Sequence, residues 1–172
     1  MSKPPSQVHS TTPIAHEGVF DIENSPAFKL VKLANLVTQE FEREISARLN
    51  VSLVEWRVVA AVYQRGEVTA AEVAKITGHN VMVVSRAVNR LVGDTRLSRI
   101  KDESDSRRLI LRLTDRGREL FESISPMALR VEESLFGSSA AQEIIVINRF
   151  LERGLSALLE RSSFDRMDVQ NS

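Results

Sequence analysis

The chain has 172 residues, 42% hydrophobic and 27% charged, a balance that suits one globular domain with a sizeable core. Basic and acidic side chains both number 23, so net charge names no anionic partner, and the lack of cysteine excludes disulfides, thiolate metal sites and thiol redox sensing. No stretch approaches the roughly 18 apolar residues of a membrane span, and MSKPPSQVHSTTPIAHEG lacks the apolar centre of a signal peptide, so a cytoplasmic protein is expected.

The charge is unevenly spread. Residues 1–64 hold 6 basic and 7 acidic side chains, residues 65–120 hold 12 and 8, and residues 121–172 hold 5 and 8. A basic middle between acidic flanks is a hint of an anionic partner for the middle.

Residues 1–23, rich in Ser, Thr and Pro, read as a flexible arm. Ser25-Pro26 then forms an N-cap with proline at the first helical position. A long helix follows to about Asn50, with Leu30, Leu33, Val37, Phe41, Ile45 and Leu49 spaced by 3 and 4. Ser52 and Glu55 make a capping box for a helix stopped by Gly66, and Thr69 and Glu72 repeat it for a short helix stopped by Gly78.

HNVMVVSRAVNRLV comes next. Val81, Val84, Val88 and Leu91 share one face at spacings of 3, 4 and 3 and are expected inward, while His79, Met82, Val83, Arg86, Asn89 and Arg90 face outward. Guanidinium, amide and apolar groups on one face suit a helix in the major groove, where Arg pairs with guanine, Asn with adenine and apolar groups with the thymine methyl. A solvated face with a few arginines is the bland alternative, against which exposed Met82 and Val83 count. Val73-Ala74 and Gly78 supply the apolar contact, close approach and turn of a helix-turn-helix.

Two short strands, about 96–101 and 108–113, flank the polar turn Lys101-Asp102-Glu103-Ser104-Asp105-Ser106. Leu109, Leu111 and Leu113 are expected on one side of the second strand, with Arg108, Ile110 and Arg112 on the other. Arg107 and Arg108 therefore stand at a hairpin tip, from which an arginine reaches the minor groove. Asp105 is placed to hold that guanidinium by a salt bridge. Alternatively, Asp105 and Arg107 merely stabilise the hairpin. Arg99, Lys101, Arg112, Arg116 and Arg118 lie nearby for phosphates.

Thr114 caps a helix of about 20 residues, FGSS breaks the chain at 136–139, and Ser139 with Gln142 opens a final helix carrying Ile144, Ile147, Leu151, Leu155, Leu158 and Leu159. The fold class expected is mainly α with a small β-wing: a winged helix-turn-helix over 51–113, with dimerisation helices at 24–50 and 114–162 and a tail at 163–172. The small module leaves the terminal apolar stripes uncovered, which points to a partner helix from a second copy, although packing of these helices on each other within one subunit is the other solution.

RLVGDTRLSRIKDESDSRRLILRLTDRG resembles the wing region of the MarR family of bacterial transcription regulators. The matching positions are Leu91, Arg99, Asp105, Arg107, Arg108, Leu113, Thr114 and Gly117, and the helix order is similar from about residue 25 to 160. The resemblance implies a homodimer joined through both chain ends, reading a pseudo-palindromic operator on double-stranded DNA as a repressor, and releasing it when a small, often aromatic, anionic effector binds. Its DNA-contacting set would be Asn80, Met82, Val83, Ser85, Arg86, Asn89 and Arg90 on the recognition helix, with Arg99, Asp105, Arg107 and Arg108 on the wing. Thr95-Arg96 departs from the family's usual glycine-aliphatic pair after the recognition helix, so that helix is expected to end sooner or by another cap.

For an effector, a cation beside aromatics would suit a carboxylate: Arg43, Trp56, Arg57 and Tyr63 are the candidates, with Arg48 equally placed and Trp56 equally suited to a core. A phenolic acid or a derivative fits that set. Nothing points to a cofactor, a metal or an enzyme: two of the three histidines lie in the arm, and there is no phosphate loop, paired-His motif or nucleophile elbow. The rival reading is a helical protein-interaction adaptor without specific DNA binding.

Overall fold

The structure, a computed structural model, describes residues 21–170 apart from Glu103 and Ser106. The expected arm thus lies, up to residue 20, outside the described residues. The described chain forms two compact units, one ending at Gly117 and the other starting at Arg118.

The first unit opens with α1 (Pro26–Phe41), whose N-cap Ser25 accepts a hydrogen bond from the Phe28 amide. A π-helical segment (Glu42–Ser46) and a last short turn, α2 (Ala47–Leu49), complete the same rod. A π segment carries more residues per turn and so rotates the faces that follow it. Phe28, Leu30, Val31, Leu33 and Leu36 well before it are exposed, whereas Phe41, the last residue of α1, and Ile45 within the π segment are buried. Asn50 ends the rod in the left-handed conformation, φ 51° and ψ 49°, a state Asn tolerates better than most residues.

Helix α3 (Leu53–Arg65) and helix α4 (Ala70–Thr77) both carry complete capping boxes, Ser52 with Glu55 and Thr69 with Glu72. Helix α5 (Val81–Gly93) follows the left-handed Gly78 and packs on α3 and α4. The wing pairs β1 (Leu97–Lys101) with β2 (Leu109–Leu113) antiparallel, with Leu97 opposite Leu113 and Lys101 opposite Leu109. Val68 adds a bridge to Leu111, whose amide it accepts at 2.8 Å. Val58, Val59, Val62, Val73, Val84, Val88, Leu91, Leu97 and Leu111 form the core, each such side chain stabilising the fold by about 1.5–3 kcal/mol when fully buried.

Two expected faces differ in detail. Val81, expected inward, is exposed because it begins α5 beyond the edge of the core. On β2, Ile110 is buried opposite Ile100, while Leu109, at the open end of the ribbon, is exposed.

Helix α6 (Asp115–Phe136) starts on the Thr114 hydroxyl, which accepts the Gly117 amide at 3.1 Å. In the second unit, the end of α6 and the start of α7 (Ala141–Gln170) enclose an apolar cleft of about 550 Å³ lined by Leu129, Phe136, Ile144, Ile147 and Leu151 among others. Helix α7 does not open on Ser139: the Glu143 carboxylate accepts the Ala140 amide at 2.9 Å, one residue later than the Ser139–Gln142 box. It also runs past the expected boundary at 162, as no glycine or proline interrupts residues 163–170. Among the described residues no helix is long and apolar enough to cross a membrane.

Candidate nucleic-acid interface

Helix α5 and the wing hold the candidate contacts. The side chain of Asn80 is the N-cap of α5, its Oδ1 accepting the Met82 amide at 2.8 Å. Val81, Met82 and Val83 follow, 48%, 65% and 40% exposed. Arg86 is exposed one turn on and has no hydrogen-bond or ion-pair partner among the described residues, while Ser85 is half-buried.

The outward polar groups near the end of α5 are engaged within the protein. Asn89 Oδ1 accepts a hydrogen bond from Arg99 of β1. Arg90, expected at the base-reading face, turns back instead: its Nε lies 3.2 Å from Glu55 Oε1, and its Nη2 donates to Asn50 Oδ1 at 2.9 Å. The Glu55 side chain is only 4% exposed, and its other oxygen accepts the Ser52 amide at 2.7 Å. A long side chain rooted on an outward face can reach sideways to a buried partner, which face angles do not reveal. Sequence marked Glu55 only as a capping-box residue and Asn50 only as a helix end; the available signal for the pair with Arg90 was a carboxylate followed closely by the apolar run of α3.

The departure at Thr95-Arg96 resolves as a cap. Thr95 is left-handed, φ 57°, its amide donating to the Val92 carbonyl at 3.0 Å and the Arg96 amide to that of Leu91 at 2.8 Å. That is the Schellman pattern with threonine where glycine is usual. The Thr95 carbonyl accepts from the Thr114 hydroxyl at 2.7 Å and its hydroxyl from Arg116 at 2.8 Å. Arg96 is folded inward, its Nη2 donating to the Leu49 carbonyl at 3.4 Å. Gly117 lies against this turn: a Cβ there would collide with the Arg96 carbonyl oxygen and sit 2.8 Å from Leu113 Cδ2.

At the wing tip the expected Asp105–Arg107 salt bridge is replaced by backbone turns. Asp105 Oδ1 accepts the Arg107 amide at 3.0 Å and its carbonyl the Arg108 amide at 2.9 Å. A carboxylate two residues before an amide closes such a turn more readily than it reaches a guanidinium. Arg107 is left exposed with no side-chain partner among the described residues. Arg108 instead lies 3.6 Å from Glu72 and 3.7 Å from Asp102, and Arg112 pairs with Glu67.

Two of these carboxylates titrate low. The backbone and hydroxyl of Thr69 hold Glu72 below the usual carboxylate range, with Arg108 and Lys75 adding to the effect. The Ser104 hydroxyl, at 2.6 Å, and the Ser104 amide, at 2.9 Å, do the same for Asp102, again helped by Arg108.

The candidate effector residues are spread over two elements. Arg43, on the π segment, is turned to Glu40 at 2.5 Å and Glu44 at 3.7 Å. On α3, Trp56 is half-buried, and Arg57 and Tyr63 are exposed.

No curated protein matches the chain. Solved structures similar to it include a MarR/EmrR family transcriptional regulator from Acinetobacter sp. ADP1, at 20% identity over 82% of this chain and 99% of that one, with a TM-score of 0.75. The PcaV transcriptional regulator from Streptomyces coelicolor, in complex with its natural ligand, is 20% identical over 82% and 99%, with a TM-score of 0.72. The S. aureus MepR–DNA complex is 19% identical over 79% and 98%, with a TM-score of 0.72. Residues 49–108, from the end of α2 into the wing, match the model of the MarR family. Over that segment the chain is similar to the MarR family, and its winged helical fold is the one seen in the family's solved transcriptional regulators.

Proposed function

We propose that the chain is a homodimeric, sequence-specific DNA-binding transcriptional regulator, a repressor that a small anionic or aromatic effector releases from a pseudo-palindromic operator. The observation that carries this reading is the contrast among its arginines. Arg90, Arg96, Arg99, Arg108 and Arg112 are engaged within the protein, while Arg86 on α5 and Arg107 at the wing tip have no partner among the described residues. Arginine projected from a groove-sized helix suits a guanine edge, and one on a hairpin tip suits the negative potential of a narrow minor groove.

Dimerisation is supported by the apolar residues each unit leaves exposed: Phe28, Leu30, Val31, Leu33 and Leu36 on α1, and Ile145, Val146, Phe150, Leu155 and Leu158 on α7. Contiguous apolar faces of that extent mark association surfaces, and a twofold pair of winged helices reads half-sites about 10 base pairs apart. Arg43, Trp56, Arg57 and Tyr63 are the proposed effector contacts, and the ligand-bound PcaV neighbour supports a ligand in this fold. Aromatic acids and their thioesters are the compounds to screen, by thermal shift and DNA release.

Fluorescence anisotropy with duplexes enriched from a random pool, combined with analytical ultracentrifugation, tests the reading. The chain should sediment as a dimer, bind with an affinity that falls steeply with salt, and lose about 1–3 kcal/mol at one base pair per half-site in Arg86→Ala. A monomer indifferent to every duplex at low salt is the result expected of a helical adaptor and would overturn it.

A further inference from the structure

The first turn of α5 is where a helix-turn-helix protein brings side chains to base edges, and here it is almost wholly apolar. Val81, Met82 and Val83 are consecutive and exposed. The amides and guanidinium that would lend the helix a hydrogen-bonding vocabulary are already engaged: Asn80 Oδ1 by the Met82 amide, Asn89 Oδ1 by Arg99, and Arg90 by Glu55 and Asn50. Arg86 stands out as an exposed, unengaged guanidinium on this helix among the described residues.

The major groove offers an apolar side chain one apolar group, the C5-methyl of thymine. We infer that the first turn of α5 recognises thymine methyl groups, with Val83 and Met82 packing on them beside a guanine held by Arg86. The inference rests on the DNA-binding reading above and specifies the chemistry it selects. Val83 and Met82 precede Arg86 by three and four residues, hence are its surface neighbours at about 5–6 Å. With base pairs stacked about 3.4 Å apart, the methyl groups lie one or two base pairs from that guanine. A thymine flank also suits this surface energetically. Each methyl covered against Met82 or Val83 removes apolar area of both partners from water, and valine has little rotamer freedom to lose.

The test separates this inference from the reading beneath it. The full chain is used to enrich a duplex from a randomised pool spanning about three helical turns, and the winner is resynthesised with deoxyuridine replacing thymidine, one position at a time. That exchange deletes a methyl group and leaves every hydrogen-bonding group in place. Affinity should fall about fourfold for each contacted methyl, at positions adjoining a G·C pair whose exchange is felt through Arg86. Met82→Ala, at an exposed site, should bind the thymidine duplex more weakly than the parent protein does and lose the thymidine-over-deoxyuridine preference at one position, with its salt dependence intact. Equal binding of thymidine and deoxyuridine duplexes overturns the inference while specific DNA binding stands. So does a preference that survives in both Met82→Ala and Val83→Ala, because the methyl groups would then be sensed elsewhere. Unchanged DNA binding by Met82→Ala points to a protein-docking role for this turn and also overturns it. Failure to enrich any duplex removes both readings together.

Discussion

The Arg90 guanidinium meets the buried Glu55 carboxylate at 3.2 Å and so fastens the last turn of α5 to the first turn of α3. The same carboxylate closes the α3 capping box through the Ser52 amide. Removing Arg90 strands a buried charge, which costs 3–5 kcal/mol in a fully buried pair. Because the arginine is half-exposed and solvent screens it, about 1–2 kcal/mol is the reasonable scale here. Arg90→Ala should therefore lower stability in urea by that amount and weaken DNA binding evenly across sequences. Unchanged stability with lost discrimination at one base pair would instead make Arg90 a base reader.

Thr95 is a β-branched residue held at φ 57°, where L-residues other than glycine pay about 1–2 kcal/mol. Its hydroxyl accepts from Arg116, so Thr95→Gly changes two things at once. Thr95→Ala keeps the backbone penalty and drops the hydroxyl, so the pair of variants isolates the backbone. Glycine should be more stable than alanine by about 1 kcal/mol, after its greater freedom in the unfolded chain is set against the relieved strain. Equal midpoints in denaturant would mean that the turn relaxes around alanine.

Gly117 inverts the ordinary rule for helices. Within a helix, alanine is favoured over glycine by about 1 kcal/mol. Here the added methyl group meets the Arg96 carbonyl oxygen and Leu113 Cδ2. Relief requires moving backbone, and overpacking of this kind costs about 1–3 kcal/mol. Gly117→Ala should thus lower the melting temperature, and a rise would show that α6 can shift away from the turn without loss.

Spacing and capping chemistry made most of this fold legible. Val84, Val88 and Leu91, four and three apart, marked the inner face of α5, although Val81 in the same pattern is exposed, and Ser52–Glu55 and Thr69–Glu72 marked two helix starts correctly. Other features depend on neighbours that a linear pattern does not contain. The rotation at Glu42–Ser46 has no local signature, because a π segment is stabilised by what packs on either side of it. Arg90 sits at an outward angle yet reaches Glu55, and Asp105 turns the backbone rather than pairing with Arg107. Long side chains were the least legible feature of the interface, since their partners come from elements distant in sequence.

Glu72 and Asp102 flank Arg108 from α4 and the wing. Their pKa values are depressed in the folded protein, so the stabilisation they provide is present above the unfolded carboxylate range, about pH 4, and is lost as pH falls through their lower folded values. Side-chain carbonyl NMR titration should place both midpoints below those of exposed carboxylates, with the Arg108 resonances moving in step. Ordinary midpoints would mean that the Thr69 and Ser104 hydrogen bonds are not held in solution. Glu72 is exposed and Asp102 half-buried at the wing surface, so solvent screens both and global stability should change little across this range.

Arg107 and Arg108 are adjacent in sequence but should behave differently. Arg108 is shared between two carboxylates, whereas Arg107 projects from a turn closed by the Asp105 side chain and has no partner among the described residues. Substituting an exposed side chain without partners leaves stability within about 0.5 kcal/mol, so Arg107→Ala should melt like the parent protein. Its DNA affinity should nevertheless fall about tenfold, most on duplexes with A·T-rich flanks, because narrow minor grooves there concentrate negative potential on an inserted guanidinium. Lysine, a compact and more strongly hydrated cation, should restore only part of the loss. Anisotropy on matched duplexes with A·T and G·C flanks measures the difference. A loss equal on both flanks would assign Arg107 to phosphates, and a loss of stability would assign it to the hairpin itself.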